Sequence, residues 1–297
     1  MYSTDFNIKI ILQAVVNSNT KIEQEIGCRI VFGAVGGSYS LGLQSRNSDI
    51  DFYLIVDDEQ LVQVVHKKIN LLIQKKHVTI DFMCVSYQEI LREIERYKSL
   101  QKKYPSVKYR TEKEWRENIN KGDIDRPDFK RSILFRVLLS DGIINKKLDQ
   151  ILYKKLIEGL KKVDIIDYHY TRIYGNYNEK IKGMDFVPIR KYLYTIHQIC
   201  TCQYLINCKQ KPPMNFVELL NNTMTSELLR NKIYTLFNKN QYALKNKEME
   251  LICKDEIINE FVINSINSIK TYLENSMHDN KYLSFDELRI ISIGECV

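Results

Sequence analysis

No stretch of about 18 uncharged apolar residues occurs in the sequence, which excludes a helical membrane span of ordinary length. The amino terminus, MYSTDFNIKIILQAVVN, has no basic segment leading into an apolar core and a cleavage site, so no secretory signal is read there and the expected location is cytoplasmic. A disulfide framework is missing as well. The seven cysteines (Cys28, Cys84, Cys200, Cys202, Cys208, Cys253 and Cys296) are odd in number, scattered, and mostly set in apolar periodic segments, a pattern of reduced buried thiols. Cys200-x-Cys202 with Cys208 is the nearest approach to a zinc pattern, and no second cluster completes four ligands. Charge of one sign is not dominant: 44 Lys and Arg against 37 Asp and Glu give +7, which is compatible with a phosphate-bearing partner without requiring one. No internal repeat or low-complexity tract stands out.

What is present is an ordinary soluble globular mixture, 44% apolar and 27% charged over 297 residues, enough for one large or two ordinary domains. CRIVFG (28–33), IDFYLIV (50–56) and VTIDFMCV (78–85) are short, rich in β-branched and aromatic residues, and read as strands. Between the second and third, Leu61, Val65, Ile69 and Leu72 recur at helical spacing, which predicts an amphipathic crossover helix from Glu59 to Lys75. Ser86-Tyr-Gln-Glu89 has capping-box spacing and predicts a helix through about Tyr97.

After about residue 98 the chain becomes polar and weakly periodic, and helical patterns then dominate: SILFRVLLSDG, ILYKKLIEGLKK, DYHYTRIYGNYNEKI, PIRKYLYTIHQICTCQYLINC, NFVELLN, SELLRNKIYTLF and EIINEFVINSINSIKTYLE. The expected fold is α+β: a small mixed-sheet domain over 1–98, a connection or insertion over 99–128, and a mostly α-helical domain over 129–297.

The segment that carries chemistry is GGSYSLGLQSRNSDIDFYLIV, residues 36 to 56. Residues two apart on a strand share a face, so Asp49 and Asp51 present their carboxylates together at the mouth of an apolar strand. Paired anions repel, and a hard divalent cation such as Mg²⁺ or Mn²⁺ carrying a phosphate removes the repulsion. Gly36, Gly37 and Ser38 sit between a strand and a helical turn, where backbone N–H groups can approach phosphate oxygens with no side chain in the way. Asp81 lies inside the VTIDFMCV strand, where an unpartnered carboxylate is costly. If that strand lies beside the Asp-x-Asp strand, three carboxylates meet.

This order of elements resembles the nucleotidyltransferase superfamily that includes DNA polymerase β. The form GGSYSLGL followed by SDID, with KYLYTIHQICTCQYLINCKQKPPMNF from Lys191 to Phe216, is similar more narrowly to the YcgL and RlaP family of nucleotidyltransferases. It departs from that family's common pattern at Ser40-Leu41-Gly42 and Ile196-His197-Gln198.

The resemblance implies a two-metal enzyme that moves a nucleoside monophosphate from an NTP to a hydroxyl or phosphate acceptor, with an RNA end favoured over a protein or a small molecule. Asp49, Asp51 and Asp81 would be the metal-binding and catalytic carboxylates, and Gly37 and Ser38 the nucleotide cradle. Arg190 and Lys191, at the start of a long helix after Pro188, are candidate triphosphate contacts, with a solvated helix start as the alternative. Tyr192, Tyr194, His197 and the Tyr168–Arg172 cluster read first as helix packing. Two other readings stand beside this one: a non-catalytic nucleotide- or RNA-binding protein of the same fold, and a small-molecule transferase of the antibiotic-modifying kind.

Overall fold

The computed structural model describes residues 8–44, 48–61, 63–92, 95, 142–145, 162–208, 212–242, 251–276 and 290–293. Two helices, α1 (Ile8–Asn17) and α2 (Asn19–Ile26), lead into strand β1 (Arg29–Val35). Gly27 closes α2 with φ 80°, the left-handed conformation that glycine adopts at least cost. A single helical turn, α3 (Gly37–Ser40), follows β1, and then come β2 (Ile50–Asp57), β3 (Val65–Ile73) and β4 (Lys76–Ser86). Later in the chain are β5 (Gly142–Asn145), α4 (Lys162–Lys180), β6 (Phe186–Pro188), α5 (Ile189–Asn207), α6 (Phe216–Thr223), α7 (Glu227–Tyr242), β7 (Leu251–Cys253), α8 (Glu256–Asn275) and β8 (Ile290–Ile293).

Six strands form one mixed sheet in the order β3-β4-β2-β1-β5-β8. β1 and β2 are antiparallel, β2 and β4 parallel, and β3 and β4 an antiparallel hairpin. The fold class is therefore α+β with a small mixed sheet and many helices, and β5 and β8, from far along the chain, extend that sheet.

The expected helix from Glu59 to Lys75 is not formed. Residues 65–73 are strand β3, because the side chains that find a core alternate: Ile69, Leu71 and Ile73 are buried while Leu72 is 61% exposed. That period of two outweighs the coincidental three-and-four spacing of Leu61, Val65, Ile69 and Leu72. The hairpin turns at Gln74 and Lys75, whose φ values of 48° and 64° place both in the left-handed region. This is the backbone of a tight two-residue hairpin turn, made without the Asn-Gly pair that usually announces it. β2 and β4 thus become parallel neighbours through an edge strand, with no crossover helix between them.

Helix does begin at Tyr87 and is described through residue 92, with Ser86 Oγ accepting from the Gln88 N–H at 3.2 Å. Glu89 pairs with Arg92 within it. The proposed insertion over 99–128, the ILYKKLIEGLKK pattern up to residue 161 and most of SILFRVLLSDG lie outside the described residues; Gly142, which ends the last of these, opens β5.

Each face of the sheet has its own core. Ile50, Phe52, Leu54, Ile80 and Phe82 pack with Ile11, Leu12, Val15 and Ile22 of α1 and α2. The opposite face contributes Tyr53, Ile55, Met83 and Val85 to a larger cluster shared with Tyr192, Ile196, Phe216, Ile258 and other helical residues. By strand alternation Asp51 and Asp81 lie on this second face, toward the helices. Among the described residues no helix is long and apolar enough to cross a membrane.

Candidate nucleotide site

The glycine turn and the carboxylates are built against each other. The Gly36 N–H donates to the Asp51 carbonyl at 2.7 Å, which fixes the end of β1 beside the start of β2. Gly37 has φ +58°, and a Cβ there would stand 2.0 Å from Asp51 Oδ2. Glycine is required at this point both for the left-handed backbone and for the room that the carboxylate occupies. Ser38 is buried, its carbonyl accepting from the Leu43 N–H at 2.9 Å, and Ser40 Oγ donates to the Gly37 carbonyl at 2.9 Å. The first turn of α3 points its leading N–H groups away from any intrahelical acceptor, as every helix start does.

Asp51 and Asp81 face each other across the parallel β2–β4 ladder, in direct register. Asp81 Oδ1 is buried and accepts no hydrogen bond; His66 Nδ1 of β3 lies 3.5 Å from it. Lys68 is opposite Asp81 on the other side, in the β3–β4 register. Asp49 sits just ahead of β2 and is exposed, so the two carboxylates that the strands bring together are Asp51 and Asp81, with Asp49 at the rim. Among the described residues no group of three or more His, Cys, Asp or Glu side chains is placed to hold a metal ion.

The donor set nevertheless fits a hard divalent cation. Two hard carboxylates stand side by side, one has a buried oxygen with no hydrogen bond, and a glycine leaves the approach clear. Asp51 and Asp81 are the pair that could hold it, with Asp49 exposed at the rim.

The helical region reaches this edge through Arg190, whose Nη2 donates to Ser48 Oγ at 2.7 Å, one residue before Asp49. Lys191 is half-buried on the next position of α5, and neighbouring positions on a helix do not share a face. A second connection holds the loop after α3. The Phe216 N–H donates to the Leu41 carbonyl at 2.8 Å, Asn240 Nδ2 to the Leu43 carbonyl at 3.1 Å, and Gln241 Nε2 to the Gly42 carbonyl at 3.4 Å. The PPMNF segment and the GGSYSLGL segment are therefore one structural unit. His197 belongs to its support: it is buried, its Nε2 lies 2.9 Å from the Met214 carbonyl, and its ring stacks on Phe216 with centroids 6.3 Å apart.

Tyr192 is likewise interior, and Tyr168 accepts from Arg172 Nη1 at 3.0 Å, so these aromatic groups pack between helices. Cys200 and Cys202 are fully buried, and burial pushes the Cys200 thiol up to about 11, which suits a neutral core thiol and not a metal-binding thiolate.

Two neighbours of the carboxylates escaped the reading of the sequence. His66 could be placed beside Asp81 only once β3 was known to be a strand. Ser48 had a visible signal, its position directly before Asp49, but its partner lies 142 residues away.

The nucleotidyltransferase domain family matches residues 22–177, more than half of the 297-residue chain, and that span contains the glycine turn and all three carboxylates. The chain belongs to the nucleotidyltransferase domain family. A second family, described as RNA repair pathway DNA polymerase beta family and named RlaP, matches residues 149–290, so the helical region has its own counterpart. This makes the protein a nucleotidyltransferase of the DNA polymerase β superfamily. It is similar to the uncharacterized protein YcgL of Bacillus subtilis (strain 168), 22% identical over 262 residues that make up 86% of each chain. Among solved structures, a nucleotidyltransferase-like protein from Exiguobacterium sibiricum 255-15 aligns over 90% of this chain and 75% of its own, at 10% identity and a TM-score of 0.23.

Proposed function

We propose that this nucleotidyltransferase moves a nucleoside monophosphate from an NTP to a hydroxyl or phosphate acceptor, with an RNA end as the acceptor, and releases pyrophosphate. The observation that carries the reading is the direct pairing of Asp51 with Asp81, the latter with a buried oxygen that accepts no hydrogen bond, beside a glycine that only a hydrogen atom separates from Asp51. Divalent cations, Mg²⁺ or Mn²⁺, would supply charge neutralisation: Asp49 and Asp51 would hold the one that carries the triphosphate, and Asp81 would hold the second, on the acceptor side. Gly37 and Ser38 provide the backbone against which phosphate oxygens rest. Arg190 contributes positive charge from the helical side, from its place on Ser48, whereas Lys191 is on another face of α5. For a hydroxyl acceptor, Asp81 takes the hydroxyl proton as the hydroxyl oxygen bonds to the α-phosphorus and the bond from that phosphorus to pyrophosphate breaks. The rate gain comes mainly from alignment and from charges fixed in advance. An RNA acceptor agrees with the RNA repair description of the matching family and with the +7 charge.

The test is incubation with each α-labelled NTP, Mg²⁺ or Mn²⁺, and cell RNA or cell protein, followed by asking which macromolecule carries label. Label is expected in RNA. Asp51→Asn should lose both metal-dependent NTP binding and transfer, whereas Asp81→Asn should keep NTP binding and lose transfer by orders of magnitude. Wild-type transfer by Asp51→Asn would overturn the assignment.

A further inference from the structure

We propose that the uncovered face of the β3–β4 hairpin is the acceptor platform, on which a single-stranded polynucleotide lies with its terminal hydroxyl at Asp81. The inference rests on the nucleotidyl-transfer reading and adds where the acceptor binds. Strand order sets four elements in a row across one face: the glycine turn after β1, Asp51 on β2, Asp81 on β4 and Lys68 on β3. Adjacent strands are about 4.8 Å apart, so Lys68 lies roughly 10 Å beyond Asp51, with Asp81 between them. The nucleotide cradle is on one side of Asp81 and the hairpin is on the other.

The two faces of that hairpin differ. Ile69, Leu71 and Ile73 turn to the α1–α2 side and are buried. The opposite side carries Lys68, Asn70 and Leu72 on β3 with His77 and Thr79 on β4, all exposed. Farther along β4 this same face is covered by the helical region, where Met83 and Val85 are buried. The platform therefore begins at Asp81, where the helical cover stops.

Its chemistry suits a polyanion. From Val65 to Ile80 there is no Asp or Glu, and of the cationic side chains in that span Lys68, His66 and His77 fall on this face, with Lys75 in the turn, while Lys67 and Lys76 fall on the other. Lys68 is placed for a phosphate, and Thr79 Oγ1, donating to Asn70 Oδ1 at 2.6 Å, makes a fixed polar step. Leu72, 61% exposed and directly opposite His77, offers an apolar and aromatic surface for a base. A cationic small molecule would be repelled by the same face.

The test uses the full chain and a fluorescent single-stranded oligoribonucleotide roughly ten nucleotides long, with anisotropy measured across a salt series without NTP. Lys68→Glu should weaken binding about tenfold or more and flatten the slope of log affinity against log salt by about 0.7 for each phosphate that the protein no longer neutralises. The double change Leu72→Ala with His77→Ala should weaken binding with little change in slope. Lys67→Glu, the same charge change on the other face of β3, should stay within about twofold of wild type. Metal-dependent NTP affinity of Lys68→Glu, by calorimetry, should equal that of wild type. Equal losses from Lys67→Glu and Lys68→Glu, no loss from Lys68→Glu, or no binding of the oligoribonucleotide by wild type would each overturn the platform. Absence of metal-dependent NTP binding in wild type would instead overturn the nucleotidyl-transfer reading itself.

Discussion

At Gly37 the backbone and the Asp51 carboxylate compete for one small volume. A Cβ would stand 2.0 Å from Asp51 Oδ2, and φ +58° disfavours any side chain. Left-handed backbone costs a non-glycine residue about 1–2 kcal/mol, a loss a folded chain of this size can survive. Displacement of the carboxylate is the larger functional effect. Gly37→Ala is therefore expected to remain folded by circular dichroism and to lose at least tenfold in metal-dependent NTP affinity by calorimetry; unchanged affinity would refute the close fit. At this scale the meeting of Asp51 with Asp81 and the closeness of the glycine turn to Asp51 were legible as a candidate, through the order of glycines, Asp-x-Asp and a carboxylate inside a later apolar strand taken together. His66 was not, because its meeting with Asp81 depends on which strands pair, a relation that neither residue's local sequence encodes.

Among the elements, sequence patterns succeeded where burial and local spacing agree and failed where they conflict. β1 and β2 are buried almost throughout, so their continuous apolar runs could belong to little else. β3 is an edge strand covered on one face, and the polar run His66-Lys67-Lys68 after its first residue hides the alternation that begins only at Ile69. Its turn, Gln74-Lys75, lacks the usual residues of a hairpin.

Helix α8 shows a cap that does follow the local rules. Asp255 accepts from the Ile258 N–H at 3.1 Å and pairs with Lys232 Nζ at 2.6 Å, linking α8 to α7. Burial alone would raise the Asp255 carboxyl, but the Lys232 and Ile258 bonds outweigh it and hold the group below its ordinary value. A carboxylate lowered on folding stabilises the native state fully above its unfolded value, about 3.9, and that contribution fades as pH falls through the lower folded value. Asp255→Ala should cost about 1 kcal/mol in urea unfolding at pH 7. The gap between wild type and variant should close as pH drops below about 4. A gap that stayed constant into acid would mean that charge plays no part in the cap.

In the whole molecule, the sheet and the helices share a core even though the sequence reads as an α/β part followed by a helical part. The face that bears Asp51 and Asp81 buries Val31, Tyr53, Ile55, Met83 and Val85 in the same cluster as Tyr192, Ile196, Leu219 and Val262. β5 pairs with the far edge of β1, and β8 pairs with β5, so residues near both 142 and 290 complete a sheet begun at residue 29. Periodicity cannot reveal such pairings, since each strand only reports that it needs a partner and not which one. A fragment ending at residue 98 would turn β1 into an exposed edge and leave those five apolar side chains in water. It would also lose Arg190, Phe216, Asn240 and Gln241, which hold the Ser48 side chain and the Leu41–Leu43 backbone. Fragment 1–98 is accordingly expected to aggregate or to show no cooperative melting and no NTP binding, while the full chain unfolds in one calorimetric transition. A soluble fragment that melted cooperatively and bound NTP would show that the shared core is dispensable and that the two parts are independent domains.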